Sequence, residues 1–287
     1  LQGLGPGLFV GSSAPMNRPV FVSTSMSGTA TAARRVTGAA DATAAPAANA
    51  EVAAATVALD HVVVLLLTDL SPGAAAWVWG WSRVVLGRWL LRGVPGLAMA
   101  KAMGSGHEGG FGLRPSATRQ GLFLVFDSEL HADRFLADSP VLLAYRRHAR
   151  ELCLTKLRAV SSRGSWGGQH IAVTAVPRPD EPVAALTRAS IRPSRAWAFW
   201  RRSPASEYSL TQAAGCRLAA GLGEAPVLRQ ATFSVWNRQA DMDAYARQGP
   251  HLEAIRAAQR EGYFSESMFV RFKVLRLEGQ FKGQTHG

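Results

Sequence analysis

The chain has 287 residues, enough for one or two domains with a sizeable core. Its formal net charge is +12, and the whole excess lies after residue 60, because the first 60 residues carry equal numbers of basic and acidic side chains. Its two cysteines, Cys153 and Cys216, exclude a disulfide framework and favour a reducing, cytoplasmic location. No apolar run approaches the roughly 20 residues that a membrane-spanning helix needs.

Residues 1–58 are rich in Ala, Thr, Ser, Gly and Pro and show no hydrophobic periodicity. This composition predicts a disordered low-complexity extension. Ordered structure is expected to begin with the apolar run 62–67, which is typical of a buried strand. Ser71 and Pro72 then mark the start of a helix, because Ser favours the N-cap and Pro the first helical position.

Alternation and helical spacing predict the remaining elements in chain order. In the first part of the chain we expect strands near 96–103, 120–127 and 153–160, with helices over 129–138 and 140–150. After a Gly- and Pro-rich linker at 166–182 we expect strands over 183–191, 215–221, 229–236 and 267–277, with helices near 194–202, 240–247 and 250–261.

An internal repeat connects the two parts. Residues 119–126 (RQGLFLVF) recur as 229–236 (RQATFSVW), and the offset of 110 persists through Pro140 and Pro250. A constant offset indicates a duplicated unit. We therefore predict an α+β fold of two tandem ferredoxin-like (β-α-β-β-α-β) units, 59–165 and 183–280, which together form a dimeric-α/β-barrel-like structure. After the shared proline, the first unit has Val141 and the second has His251.

Several segments resemble the spheroidene monooxygenase family. In the second unit they are 187–192 (TRASIR), 221–226 (GLGEAP), 229–236 and 260–266 (REGYFSE), and in the first unit 161–168 (SSRGSWGG) and the glycine loop 104–111. Several motifs in the right order are specific, whereas one alone would be weak. The resemblance implies a monooxygenase that uses haem b, O₂ and reduced ferredoxin. It also implies an acyclic carotenoid substrate, hydroxylated twice at one carbon to a gem-diol that loses water to a ketone.

His251 is the leading candidate for the axial haem ligand. Pro250 suits the first position of a helix, which places His251 in the first turn above Ile255 and Ala258. The residues alone leave open a histidine that merely contacts solvent, and the resemblance favours the ligand. His148, in a basic helix segment, and Cys216, on a predicted strand, are the rival ligands. A thiolate would favour O–O cleavage, but lone cysteines are usually buried hydrophobes.

Arg229 and Arg188 lie in family-like segments and are candidates to bind the haem propionates, with ordinary salt bridges as the alternative. Glu108 and Glu224 have no paired carboxylate, so acid–base hydrolysis has no support. Six aromatic side chains could line a tunnel for a polyene, but core packing is the expectation for such helical spacing. They are Trp77, Trp79, Trp81, Trp197, Phe199 and Trp200.

Two other functions remain open from the sequence. One is a different haem reaction on the same scaffold, such as the dehydration of an aldoxime. The other is non-catalytic binding of RNA or another ligand, because the surface is basic and 119–126 resembles the strand motif of RNA-recognition modules. Gly121 and Ala231 stand where that motif needs an aromatic, which disfavours RNA. The basic surface would also suit an acidic ferredoxin or peripheral contact with a membrane.

Overall fold

The structure is a computed structural model that describes residues 60–287 except Phe111 and Pro226, and it leaves out the side chains of residues 88, 202–207, 211, 250, 251 and 259. The predicted disordered extension, 1–58, lies outside the described residues. The first half (60–164) and the second half (183–281) are described below in terms of nine strands and six α-helices.

The first half contains four strands and three helices: β1 (Val62–Leu70), α1 (Ala74–Leu90), β2 (Leu97–Gly106), β3 (Pro115–Phe126), α2 (Glu129–Asp138), α3 (Pro140–His148) and β4 (Ala149–Gly164). The second half contains β5 (Val183–Ile191), α4 (Ala196–Thr211), β6 (Cys216–Ala225), β7 (Arg229–Trp236), α5 (Gln239–Ala246), α6 (Gly249–Glu261) and β8 (Phe264–Phe281), and β9 (Gln284–His286) follows. The predicted order of elements is confirmed. The last strand extends beyond its predicted end at 277, and β9 was not predicted.

All strand pairs are antiparallel, and the strand order is β4-β1-β3-β2-β6-β7-β5-β8-β9. The predicted α+β class with a large antiparallel sheet is therefore confirmed. Strand β4 also pairs with β8, so the first eight strands in this order form a closed ring. The two junctions between the halves differ in length. Strands β2 and β6 share the pairs Gly104–Gly223 and Ser105–Leu222, whereas β4 and β8 pair from Cys153 to Gly164.

The interior of the ring is filled with buried apolar side chains. Phe123, Phe233 and Phe272 are fully buried there, and both halves contribute to the same cluster. Residues of the predicted linker also enter this core, since Trp166 is 1% exposed and packs at 5.4 Å from the ring of Phe123. The segment 166–182 contains no helix or named strand, as expected, but Trp166 anchors it to the interior.

Helix α1 packs on the outer face of the first half through two glycines and Trp79. A Cβ at Gly80 would come within 2.3 Å of the Leu70 side chain, and a Cβ at Gly87 within 2.7 Å of Ala102. This close approach turns Trp77 and Trp81 outward, where they are 45% and 39% exposed. The expectation that these tryptophans belong to the core is wrong, because the sequence pattern could not show which apolar face meets the sheet.

Candidate functional site

The outer face of the sheet differs between the two halves. In β3, Leu122, Leu124 and Phe126 point outward and join one cluster with α1, α2 and α3. In β7, Phe233 and Val235 point into the interior, so the alternating Thr232 and Ser234 point outward. The second half therefore presents small polar side chains where the first half presents leucines.

Strand pairing establishes this correspondence. Leu122 lies opposite Ala102 in the β2–β3 pair, and Thr232 lies opposite Gly221 in the β6–β7 pair. Likewise, Phe126 lies opposite Val62, and Trp236 lies opposite Val183. The outer face of the second half thus carries glycine and threonine at positions that correspond to Ala102 and Leu122, which lie under α1 and α3 in the first half.

The described apolar side chains on this face of the second half form two separate clusters. One contains Val183, Leu210 and Trp236, and the other contains Ile191, Ala196 and Trp200. The second cluster continues into an aromatic group in which Phe199 contacts Trp200, Tyr263 and Phe264. The Trp200 indole donates to the carbonyl of Val227 at 2.8 Å, which fixes α4 to the loop before β7.

The predicted ligand His251 is in the first turn of α6, and its side chain lies outside the described part of the structure. Its counterpart in the repeat, Val141, lines a cavity of about 210 Å³ between α1, α3 and the sheet. Trp79, Leu122 and Tyr145 also line this cavity. Position 251 on α6 therefore corresponds to Val141 on α3, which lines the cavity.

The rival ligand His148 has a structural role. Its imidazole stacks on Trp79 with ring centroids 4.1 Å apart and an interplanar angle of 5°. The ring nitrogen Nδ1 lies 2.9 Å from the carbonyl oxygen of Ala144, one turn earlier in α3. These contacts hold the imidazole against the end of its own helix.

The other rival ligand, Cys216, begins β6, in agreement with its predicted place on a strand. Its side chain packs with the apolar cluster around Leu210 and Trp236, and Sγ lies 3.6 Å from the carbonyl oxygen of Leu218. Burial raises the pKa of the Cys216 thiol to about 11. Cys216 is thus half-buried among apolar side chains, the setting of a small hydrophobe.

The two predicted propionate ligands differ in their surroundings. Arg188 is 3% exposed and donates to Glu266 at 2.5 Å and to Glu224 at 3.4 Å, so the salt bridge considered as the alternative is present. Arg229 is exposed at the start of β7, and within the described residues it has no carboxylate within ion-pair distance. Of the two, Arg229 has the guanidinium that is available to an external anion.

No protein-family model matches the chain. Over 232 residues it is 57% identical to the spheroidene monooxygenase of Rubrivivax gelatinosus, a match that covers 81% of this chain and 89% of that protein. Over 216 residues it is 38% identical to the spheroidene monooxygenase of Rhodobacter capsulatus, covering 74% and 90%. The chain belongs to the spheroidene monooxygenase family.

The predicted resemblance is thereby confirmed, and the family name makes the protein an oxidoreductase of the monooxygenase class. Among solved structures, an aldoxime dehydratase in complex with butyraldoxime superposes with a TM-score of 0.51 at 11% identity, covering 76% of this chain and 80% of that one. At this identity the similarity concerns the fold alone.

Four of the segments that carry the family resemblance meet in one polar cluster. Glu224 accepts from the Trp166 indole at 2.8 Å, and Arg188 joins Glu224 to Glu266. Lys101 lies 3.8 Å from Glu224 and completes the cluster. Glu224 lies in β6, and it shares the Arg188 guanidinium with the carboxylate of Glu266. The expectation that Glu224 has no paired carboxylate is therefore wrong. Sequence analysis missed Glu266 and Lys101, and the only signal for Glu266 was its place within 260–266.

Proposed function

We propose that this protein is a haem b-dependent monooxygenase that hydroxylates the end group of an acyclic carotenoid, using O₂ and electrons from reduced ferredoxin. A second hydroxylation of the same carbon gives a gem-diol, which loses water to form a ketone. We further propose that the scaffold is a pair of tandem ferredoxin-like units, 59–165 and 183–280, arranged like a dimeric α/β barrel. Identity of 57% to a spheroidene monooxygenase is the observation that carries the proposal.

The second half offers a place for a flat prosthetic group. A macrocycle that packs on a sheet needs small side chains there, and Gly221 and Thr232 supply them on the outer face of the second half. Position 251 on α6 gives this face a histidine where its counterpart has Val141. When bound there, haem would supply the activation of O₂ for insertion into a C–H bond.

The chain's own residues would orient both ligands. His251 would hold the iron as axial ligand, and Arg229, exposed and without a carboxylate partner among the described residues, would pair with a propionate. Arg188 is already engaged by Glu224 and Glu266, so a propionate would have to displace one of them. The aromatic group around Phe199 and Phe264 offers an apolar surface for a polyene.

Each hydroxylation consumes one O₂, two electrons and two protons, and it releases one water. Reduced ferredoxin would supply the electrons, and the excess of positive charge on the described part of the chain suits an acidic donor. The apolar side chains around the proposed haem site would exclude water from the substrate carbon that is hydroxylated.

The test is an absorption spectrum of the purified protein reconstituted with haem, before and after dithionite. We expect a strong Soret band that His251→Ala weakens or shifts, while the matched variant His148→Ala leaves it unchanged. Conversion of an acyclic carotenoid should then require both O₂ and reduced ferredoxin. Folded protein that takes up no haem would contradict the proposal.

A second candidate is a haem enzyme of the aldoxime dehydratase type, and the structural match at a TM-score of 0.51 is the observation that favours it. Dehydration of an aldoxime removes water without a net change in oxidation state, so it consumes no external electrons. Turnover of an aldoxime without O₂ and reductant, together with no conversion of carotenoid, would favour this alternative.

A further inference from the structure

Helix α1 presents a continuous apolar stripe to solvent. Val78, Trp81, Val85 and Trp89 follow one another at spacings of three and four residues, which places them on one face of the helix. They are 60%, 39%, 70% and 61% exposed. Trp77 packs edge-on against Trp81 at 6.3 Å and widens the stripe. Soluble proteins rarely expose so many large apolar side chains together without a partner.

The charged residues of α1 all have one sign. The sequence of α1 contains arginines and no acidic residue, and Arg92 follows the helix. The Arg92 guanidinium lies 3.6 Å from the centroid of the Trp89 ring, at the end of the stripe, whereas Arg83 packs over Trp79 on the cavity side of the helix. Neither arginine has a carboxylate partner within the part of the chain that the structure describes. Tryptophan and arginine on one helix surface is the composition of helices that lie at a membrane interface.

We propose that the outer face of α1 docks the protein on an anionic lipid bilayer. The stripe of Val78, Trp81, Val85 and Trp89 would enter the interfacial region, with Arg92 at the level of the lipid phosphates. None of the described helices is both long and apolar enough to cross a bilayer, so the contact is peripheral. The proposal does not depend on haem or on turnover.

Charge complementarity selects the bilayer over a second copy of the chain. A symmetric dimer through α1 would place the arginines of one helix against those of the other, with no acidic residue in α1 to neutralise them. An acidic protein would pair with the arginines but would not bury the exposed tryptophans and valines. Anionic phosphates next to hydrocarbon satisfy both.

The test is co-sedimentation of the full chain with vesicles of phosphatidylcholine alone and of an equal mixture of phosphatidylcholine and phosphatidylglycerol. We expect binding to the anionic vesicles that weakens as salt is added. Two glutamates in Trp81→Glu/Trp89→Glu should reduce the partition coefficient at least about tenfold, because they remove apolar area and add charge that anionic lipid repels. Val78→Glu/Val85→Glu should do the same without altering a tryptophan.

The matched control is Leu130→Glu, which changes a leucine of α2 that is 58% exposed and lies outside the stripe. It should bind vesicles as the unmodified chain does, and circular dichroism should show all variants folded. The proposal is overturned if the unmodified chain ignores anionic vesicles, or if Leu130→Glu weakens binding equally. It is also overturned if light scattering shows a dimer that the α1 variants convert to monomers while vesicle binding persists.

Discussion

Arg188 and Glu266 form a 2.5 Å ion pair that joins β5 to β8, and the guanidinium is almost completely buried. Glu266 also accepts from the Ser165 hydroxyl at 2.8 Å and from the backbone N–H of Gly168 at 3.0 Å. Burial alone would raise the pKa of Glu266, but these hydrogen bonds outweigh it and lower the pKa to about 2. The carboxylate thus connects the segment that follows β4 to the second half.

The ion pair of Arg188 with Glu266 makes the free energy of unfolding depend on pH in the acidic range. Because the pKa of Glu266 is lower in the folded state than its ordinary 4.5, its contribution is full above that value and is lost as the pH falls towards 2. Glu266→Gln should lower the free energy of unfolding at pH 7 by about 1–3 kcal/mol and flatten its pH dependence between these limits. Urea unfolding at several pH values measures this. Glu278→Gln, which breaks a more exposed pair with Arg276, should change neither quantity appreciably.

The small residues on the outer face of β7 provide a direct test of the proposed haem position. Thr232→Leu introduces the residue that the first half has at Leu122 and should fill the space in which we propose that haem binds. We expect haem affinity to fall at least about tenfold, a loss of about 1.4 kcal/mol, with little change in melting temperature. Haem titration followed at the Soret band measures the affinity. The reverse change, Leu122→Thr, should destabilise the protein and leave haem affinity intact, and equal affinity in both variants would place the haem elsewhere.

Asp69 is fully buried and receives hydrogen bonds from Arg119 at 3.1 Å and Arg150 at 2.7 Å. Asp69→Ala would leave Arg119 without its partner next to a buried strand. Removing one partner of a buried pair is costly, so we expect a loss of about 3 kcal/mol in the free energy of unfolding. Chemical denaturation measures it. Asp241→Ala, which removes the half-buried partner of the exposed Arg238, is the control and should cost less than about 1 kcal/mol.

The cysteines should be unreactive in the folded protein. Burial raises the pKa of Cys216 to about 11 and that of Cys153 to about 12, so thiolate is scarce at neutral pH. Iodoacetamide at pH 8 should modify both slowly in buffer and quickly in urea, as mass spectrometry can follow. Cys216→Ala should leave the spectrum of the haem-loaded protein unchanged. Loss of the Soret band in that variant would identify the thiolate as the ligand and refute the assignment to His251.

Local patterns predicted the secondary structure well. The apolar run 62–67 and the alternating segment 183–191 are strands because their side-chain periodicity and β-branched content act over a few residues. The predicted start of α1, with Ser71 as N-cap and Pro72 as first helical residue, is wrong: the helix begins at Ala74 and its N-cap is Gly73, which has no side chain to cap the helix. The family resemblance came from short segments in the right order, and the comparison with known proteins confirms it.

Features that depend on distant contacts could not be predicted. Trp77 and Trp81 face outward because Gly80 and Gly87 allow the helix to approach the sheet, and only the packed structure shows which face does so. Glu266 stands 78 residues from Arg188 in the sequence, and no local signal connects them. Strand β8 runs to Phe281 because it has β4 and β9 as partners. The identity of the iron ligand stays a prediction, since the side chain of His251 lies outside the described residues.

The pairing of β4 with β8 has an evolutionary consequence. A barrel assembled from two identical subunits repeats every substitution on both sides. A substitution that removes packing from one half therefore also destabilises the other. Here a single polypeptide encircles the interior, and each flank can mutate independently. The first half can therefore keep the leucines that stabilise it, while the second half carries glycine and threonine at the corresponding positions.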